Sequence, residues 1–161
     1  MIKVGASAPE FELANDQGVD TSLSDLLAQG PLILYFYPAD FTPGCTREAC
    51  SIRDIHSDLV AAGLQVAGIS PQDVESHARF RERYELPFLL LSDPHKIVVK
   101  KYGVDGPFGV GVRRATFLID QDGVIEDSIL ADIRIDRHKE FIDKAVMLRD
   151  AGRMSSGNNT D

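Results

Sequence analysis

The sequence predicts an α/β protein with a mixed central β-sheet and helices on both faces. Three observations predict it. Short apolar runs at residues 32–37, 64–70 and 88–91 alternate with longer segments of helical character, the order that builds strands joined by crossover helices. Two further runs, 115–119 and 124–130, are joined by Asp120-Gln121-Asp122-Gly123. Asp-Gly at a short turn is a hairpin signal, so antiparallel strands join the sheet. Residues 136–149 then close the chain as a helix.

Taken in order, residues 11–14 alternate and then meet Asn15-Asp16-Gln17-Gly18, a short edge hairpin. Residues 21–28 read as a short helix with Leu23, Leu26 and Leu27 on one face, broken by Gly30-Pro31. The run 32–37 is a buried strand that stops at Pro38, which has no N–H for a ladder bond. Thr42 then fits an N-cap, whose hydroxyl would accept from the N–H of Cys45, and Pro43 fits the first helical position. This helix is expected to run to Ala62, with Ile52, Ile55, Leu59 and Val60 as its apolar stripe and Gly63 as its end. A second buried strand follows at 64–70, then a polar helix at 71–84, a strand at 88–91 and a helix at 93–102 with Pro94 in its first turn. Residues 103–111 form a glycine-rich loop before the hairpin. The polar tail 154–161 is expected to be disordered, leaving residues 1–153 as one domain.

The chain has 161 residues, 43% of them hydrophobic, enough for one domain with a sizeable core. A net charge of −8 argues against nucleic-acid binding and against an anionic membrane surface. No apolar run reaches the length of a membrane span, and the first residues lack a signal-peptide layout, so a soluble cytoplasmic protein is expected. Two cysteines are too few for a disulfide scaffold, no Cys-x-x-Cys occurs, and the ligands of a zinc site are missing. A lone close pair in a reducing compartment points to redox chemistry.

Cys45 would be the third residue of its helix. Unpaired N–H groups and the positive end of the dipole favour a thiolate there, which makes Cys45 a candidate nucleophile; the bland alternative is an inert core cysteine. The pattern Pro38-x-x-x-Thr42-x-x-Cys45 followed by Cys50 resembles the peroxiredoxins, in the bacterioferritin comigratory protein or peroxiredoxin Q branch. Ser70-Pro71, Val74-Glu75-Ser76-His77, Leu86-Pro87-Phe88, Leu91-Ser92-Asp93-Pro94, Lys101-Tyr102-Gly103-Val104 and Arg114-Ala115-Thr116-Phe117-Leu118-Ile119-Asp120 read like that branch in the same order. The resemblance covers residues 4 to 142 and implies a thioredoxin-like fold, as the element order also does. The loop 103–111 looks shorter than in relatives, and from Ala145 on no family pattern is matched.

The resemblance implies that Cys45 is the peroxidatic cysteine and Cys50 the resolving one, that Thr42 contacts thiolate and peroxide, and that Pro38 shields the pocket. The backbone N–H groups of Gly44 and Cys45 would serve the peroxide oxygens. Strand alternation sends Arg113 and Arg114 to opposite faces, and the family pattern selects Arg114 as the fixed charge beside the sulfur. A bare carboxylate at Glu48, one turn after Cys45, would oppose thiolate formation, so Glu48 fits near the site only as a partner of that arginine. Tyr37 and Phe41 are expected in the core or pocket wall. His56, His77, His95 and His138 fall at polar helical positions; most are expected in solvent, and none is assigned a catalytic or metal role.

The implied activity is a thiol peroxidase that reduces hydrogen peroxide and organic hydroperoxides, recycled by thioredoxin or a similar dithiol, monomeric, and without metal, haem or flavin. A thiol–disulfide oxidoreductase on the same fold and a non-enzymatic redox-responsive binding protein are the competing readings. Helix geometry adds a constraint. Five residues of α-helix advance about 7.5 Å and turn about 140°, placing the Cα atoms of Cys45 and Cys50 roughly 8.6 Å apart. A disulfide needs about 7 Å or less, so the start of the helix must unwind to form one, or the link must be intermolecular.

Overall fold

The computed structural model describes residues 1–156. Its centre is a five-stranded sheet in the order β5-β4-β3-β6-β7, built from β3 (Leu32–Phe36), β4 (Gln65–Ser70), β5 (Leu89–Ser92), β6 (Ala115–Ile119) and β7 (Ile125–Leu130). β3 runs parallel to β4 and β4 to β5, whereas β6 is antiparallel to both β3 and β7. The parallel half is crossed over by helices and the antiparallel half by the Asp-Gly turn, as each connection requires. A separate hairpin pairs β1 (Glu12–Ala14) with β2 (Asp20–Ser22).

The side chains of β3 alternate between two cores. Ile33, Tyr35 and Tyr37 face a layer made by α2 (Pro43–Asp54), α3 (His56–Ala61), α4 (Val74–Arg83) and α6 (Asp136–Ser156). Leu32, Leu34 and Phe36 face α1 (Leu23–Leu27), α5 (Ile97–Lys101) and the Tyr102 ring. Burial on both sides explains why the 32–37 run is apolar throughout. Among the described residues, no helix is long and apolar enough to cross a membrane.

Several boundaries differ from the sequence reading. The helix expected to reach Ala62 is two helices: Ile55 leaves helical geometry at φ −108°, ψ 9° and its N–H bonds back to Ile52, three residues earlier. Ile55 is β-branched, a weak helix former, and the kink leaves Ile52 and Leu59 both buried. α4 starts at Val74 because Asp73 caps it, its side chain accepting from the Ser76 N–H at 2.7 Å. α5 starts only at Ile97, since the Asp93 carboxylate reaches past Pro94 to take the N–H groups of Ile97 and Val99. The loop 103–111 holds one 3₁₀ turn, Pro107–Gly109. α6 continues to Ser156, so the first residues of the expected tail are helical; residues 157–161 lie outside the described residues.

Candidate active site

β3 delivers the chain to the end of the sheet, where Tyr37 N–H bonds the Ile69 carbonyl at 3.1 Å and α2 begins six residues later. Thr42 occupies the N-cap position with extended backbone, and Pro43 the first turn. The Thr42 hydroxyl, however, makes no side-chain cap and is instead a donor to the Ala39 carbonyl at 2.8 Å. This corrects the expected bond from the Cys45 N–H: the hydroxyl closes its own turn rather than the helix. Pro38 and Thr42 are both exposed at the surface of this loop.

Cys45 is buried at 1% exposure and faces the α2–α6 side of the sheet. Arg114, which precedes β6, brings its Nη2 to 3.2 Å from the Cys45 Sγ. The same guanidinium donates through Nη1 to Glu48 Oε1 at 3.2 Å. One fork thus holds a sulfur and a carboxylate side by side, as a planar multi-donor group does. Arg113 points the other way, to Asp132 at 2.8 Å, and the same Asp132 takes the Arg114 backbone N–H at 2.9 Å. Gly44 makes room for the fork: a Cβ there would sit 3.2 Å from Arg114 Nη2 and 2.9 Å from Ile135 Cδ1.

The electrostatics follow from burial. Burial pushes the Glu48 carboxyl up to about 7, and the Arg114 charge and hydrogen bond pull against it. Burial lowers the Arg114 value, but the Glu48 and Cys45 charges outweigh it and the net direction is upward. Tyr35, stacked on Tyr37, is also pushed well up, first by burial and then by Glu48 and Cys45. Glu48 Oε2, Arg114 Nε and the Tyr35 hydroxyl are buried without a hydrogen-bond partner.

Of the four histidines, most of them expected in solvent, His77 and His138 are buried. His138 on α6 sits with Nδ1 at 2.8 Å from the Thr116 hydroxyl and Nε2 at 2.9 Å from the Ala131 carbonyl. A carbonyl only accepts, so Nε2 carries the proton and Nδ1 accepts from Thr116. Nδ1 also lies 3.8 Å from the open Glu48 Oε2. His77 is buried as well, against Asp40. Thr116 shares a strand face with Arg114, a signal that alternation offered; for His138 no local signal exists, because its partners lie on other elements.

Cys50 is half-buried on the same α2, five residues after Cys45, and both cysteines are free. Helix α2 is continuous across both, so helix geometry holds their Cα atoms roughly 8.6 Å apart.

The AhpC/TSA family profile matches residues 4–128. A Coxiella burnetii protein named for peroxiredoxin bcp is 47% identical over 143 residues, covering 85% of this chain and 93% of that protein. Plant relatives are longer: the chain spans 58% of rice proteins named peroxiredoxin Q, chloroplastic. The crystal structure of Mycobacterium tuberculosis peroxidoxin BcpB superposes with a TM-score of 0.85 at 38% identity, covering 94% of this chain and 98% of that one. A Xanthomonas campestris bacterioferritin comigratory protein, described for its alkyl peroxide reduction activity, gives 0.79 at 26% identity, covering 86% and 90%. The chain therefore belongs to the AhpC/TSA family, in its peroxiredoxin Bcp or peroxiredoxin Q branch.

Proposed function

We propose that the chain is a thiol peroxidase of the two-cysteine kind, with Cys45 as the peroxidatic residue and Cys50 as the resolving one. The observation that carries this reading is the Cys45 sulfur at the third position of a helix, 3.2 Å from a buried guanidinium. Arg114 stabilises a thiolate by charge and donation, and the unpaired N–H groups at the start of α2 would serve the peroxide oxygens. The thiolate attacks one oxygen of a hydroperoxide, the O–O bond breaks, and the alkoxide or hydroxide leaves with a proton from the site or solvent. Cys45 becomes a sulfenic acid. The Cys50 thiolate then attacks that sulfur and expels hydroxide, which leaves as water, forming the Cys45–Cys50 disulfide.

Two electrons from a dithiol such as thioredoxin return both thiols through a mixed disulfide. Hydrogen peroxide and organic hydroperoxides are the substrate class, and the alkyl peroxide activity of the Xanthomonas relative supports including the latter. In this reading Pro38 shields the thiolate and Thr42 contacts thiolate and peroxide, as the family resemblance implies, while Glu48 holds the guanidinium at 3.2 Å and Gly44 leaves it room. A monomer suffices, since Cys45, Cys50 and Arg114 lie in one chain.

The test is peroxide consumption with thioredoxin and its reductase by wild type, Cys45→Ser and Cys50→Ser. Wild type should turn over many times. Cys45→Ser should be inactive, and Cys50→Ser should consume one equivalent and then stall. A wild type that also stops at one equivalent would reject the peroxidase in favour of a redox switch.

A further inference from the structure

A buried polar cluster lies beneath the 37–42 loop, apart from the Cys45–Arg114 pair. Its centre is Asp40. The Tyr37 hydroxyl donates to Asp40 Oδ1 at 2.6 Å, while the Ser76 hydroxyl at 2.8 Å and His77 Nδ1 at 2.7 Å both meet Oδ2. The other ring nitrogen, Nε2, lies 3.0 Å from the Leu91 carbonyl oxygen on β5. That oxygen only accepts, so Nε2 carries a proton. Two hydroxyls, from Tyr37 and Ser76, donate to the Asp40 carboxylate, and the short Asp40 Oδ2–His77 Nδ1 contact is bridged by a proton. The Tyr37 hydroxyl also passes Nδ1 at 3.3 Å, but its 2.6 Å bond to Asp40 is the shorter use of its one proton. The titratable groups facing His77 are therefore Asp40 from the loop and Tyr37 from the end of β3. The Asp40 and His77 side chains have no solvent exposure.

A second observation concerns the next residue. Phe41 has φ 63°, the left-handed region, where a bulky side chain is strained. Such a conformation persists where its surroundings over-determine it, and it gathers at functional sites. Here Asp40 is anchored on one side, and the Thr42 hydroxyl binds the Ala39 carbonyl on the other. The Phe41 ring packs edge-on against Phe80, one helical turn after His77 on α4. So α4 grips the loop twice, by the Ser76 and His77 bonds to Asp40 and by the Phe41–Phe80 ring contact.

We propose that His77, bridging Asp40 and the Leu91 carbonyl, is a positioning residue for the Cys45 reaction. It fixes Asp40, and through Asp40 the strained loop that aims the first turn of α2. The inference rests on the peroxidase reading above. If the ring's bond to Asp40 were lost, the loop would relax at Phe41 and the N–H groups of Gly44 and Cys45 would lose their aim.

Two measurements test it. The first is the ¹⁵N spectrum of the imidazole nitrogens in wild-type protein at neutral pH, with His77→Gln to assign the signals. Nε2 should resonate as protonated, and the Nδ1 signal should shift with its short bond to Asp40; an unprotonated Nε2 would overturn the proposal whatever the variants do. The second is the single-turnover rate of Cys45 oxidation by hydrogen peroxide. His77→Asn keeps an amide donor near Nδ1, whereas His77→Gln reaches toward Leu91 and gives up Asp40. The Gln variant should lose roughly tenfold or more, and the Asn variant should recover much of it, because small misplacements of a first turn cost large rate factors. Equal rates for wild type and the Gln variant would refute the His77 role alone. A wild type that does not consume peroxide would refute the peroxidase and the catalytic role together.

Discussion

Arg114 divides one guanidinium between a sulfur and a carboxylate, and the balance depends on whether Glu48 holds a proton. Burial explains why the carboxyl is pushed from 4.5 up to about 7, with the Arg114 charge and hydrogen bond pulling the other way. The folded protein thus binds the Glu48 proton more tightly than the unfolded chain does. The stability from that proton is complete below about 4.5 and is lost as pH rises through about 7. At about 1.36 kcal/mol per pH unit, the span amounts to ~3 kcal/mol at most. Glu48→Gln should remove this slope. Chemical denaturation at acid and mildly alkaline pH would show wild type losing more stability with rising pH than the variant does; parallel profiles would mean that Glu48 is ionised throughout.

Helix α2 must serve two incompatible geometries. Reduced, it holds Cys45 and Cys50 on diverging faces; oxidised, it must bring two sulfurs into bonding distance. The first turn is where this is cheapest, because the N–H groups of Thr42, Gly44 and Cys45 lack helical partners, Pro43 has none, and Thr42 adds no side-chain cap. The prediction is that the disulfide form unwinds from Thr42 to near Ile52 while the sheet stays intact. Amide hydrogen exchange should show lost protection over residues 45–52 in the oxidised protein and none lost in β3 or β4. Equal protection in a monomer with a proven Cys45–Cys50 bond would end the unwinding account. The elements themselves were legible where the signal is local: Pro38, Pro43 and the Asp122-Gly123 turn mark boundaries by backbone chemistry alone. Strand alternation sufficed to separate Arg114 from Arg113. The kink at Ile55 and the inward turn of His138 were not legible, because each depends on contacts from distant elements. His77 was a nearer miss: it shares a helix face with the buried Phe80, three residues on, and that spacing could have placed it inward.

At the scale of the molecule, the sheet separates chemistry from support. Arg114 and Thr116 turn to the face carrying α2 and α6, whereas Ala115, Phe117 and Ile119 turn to the opposite core. Phe117 is fully buried there, packed edge-on against Phe36 and Tyr102. Removing its ring leaves a cavity among apolar neighbours, at a cost of about 3–5 kcal/mol. The backbone of β6 stays tied between β3 and β7, with Phe117 opposite Leu34 and Ser128, so the strand that follows Arg114 keeps its register. Phe117→Ala should therefore lower the denaturation midpoint sharply while leaving the rate of Cys45 oxidation, per folded molecule, close to wild type. Rates measured well below the variant's unfolding transition make that comparison. A large loss of rate in the folded variant would show that the two faces are mechanically coupled, and that the site depends on the far core for more than stability.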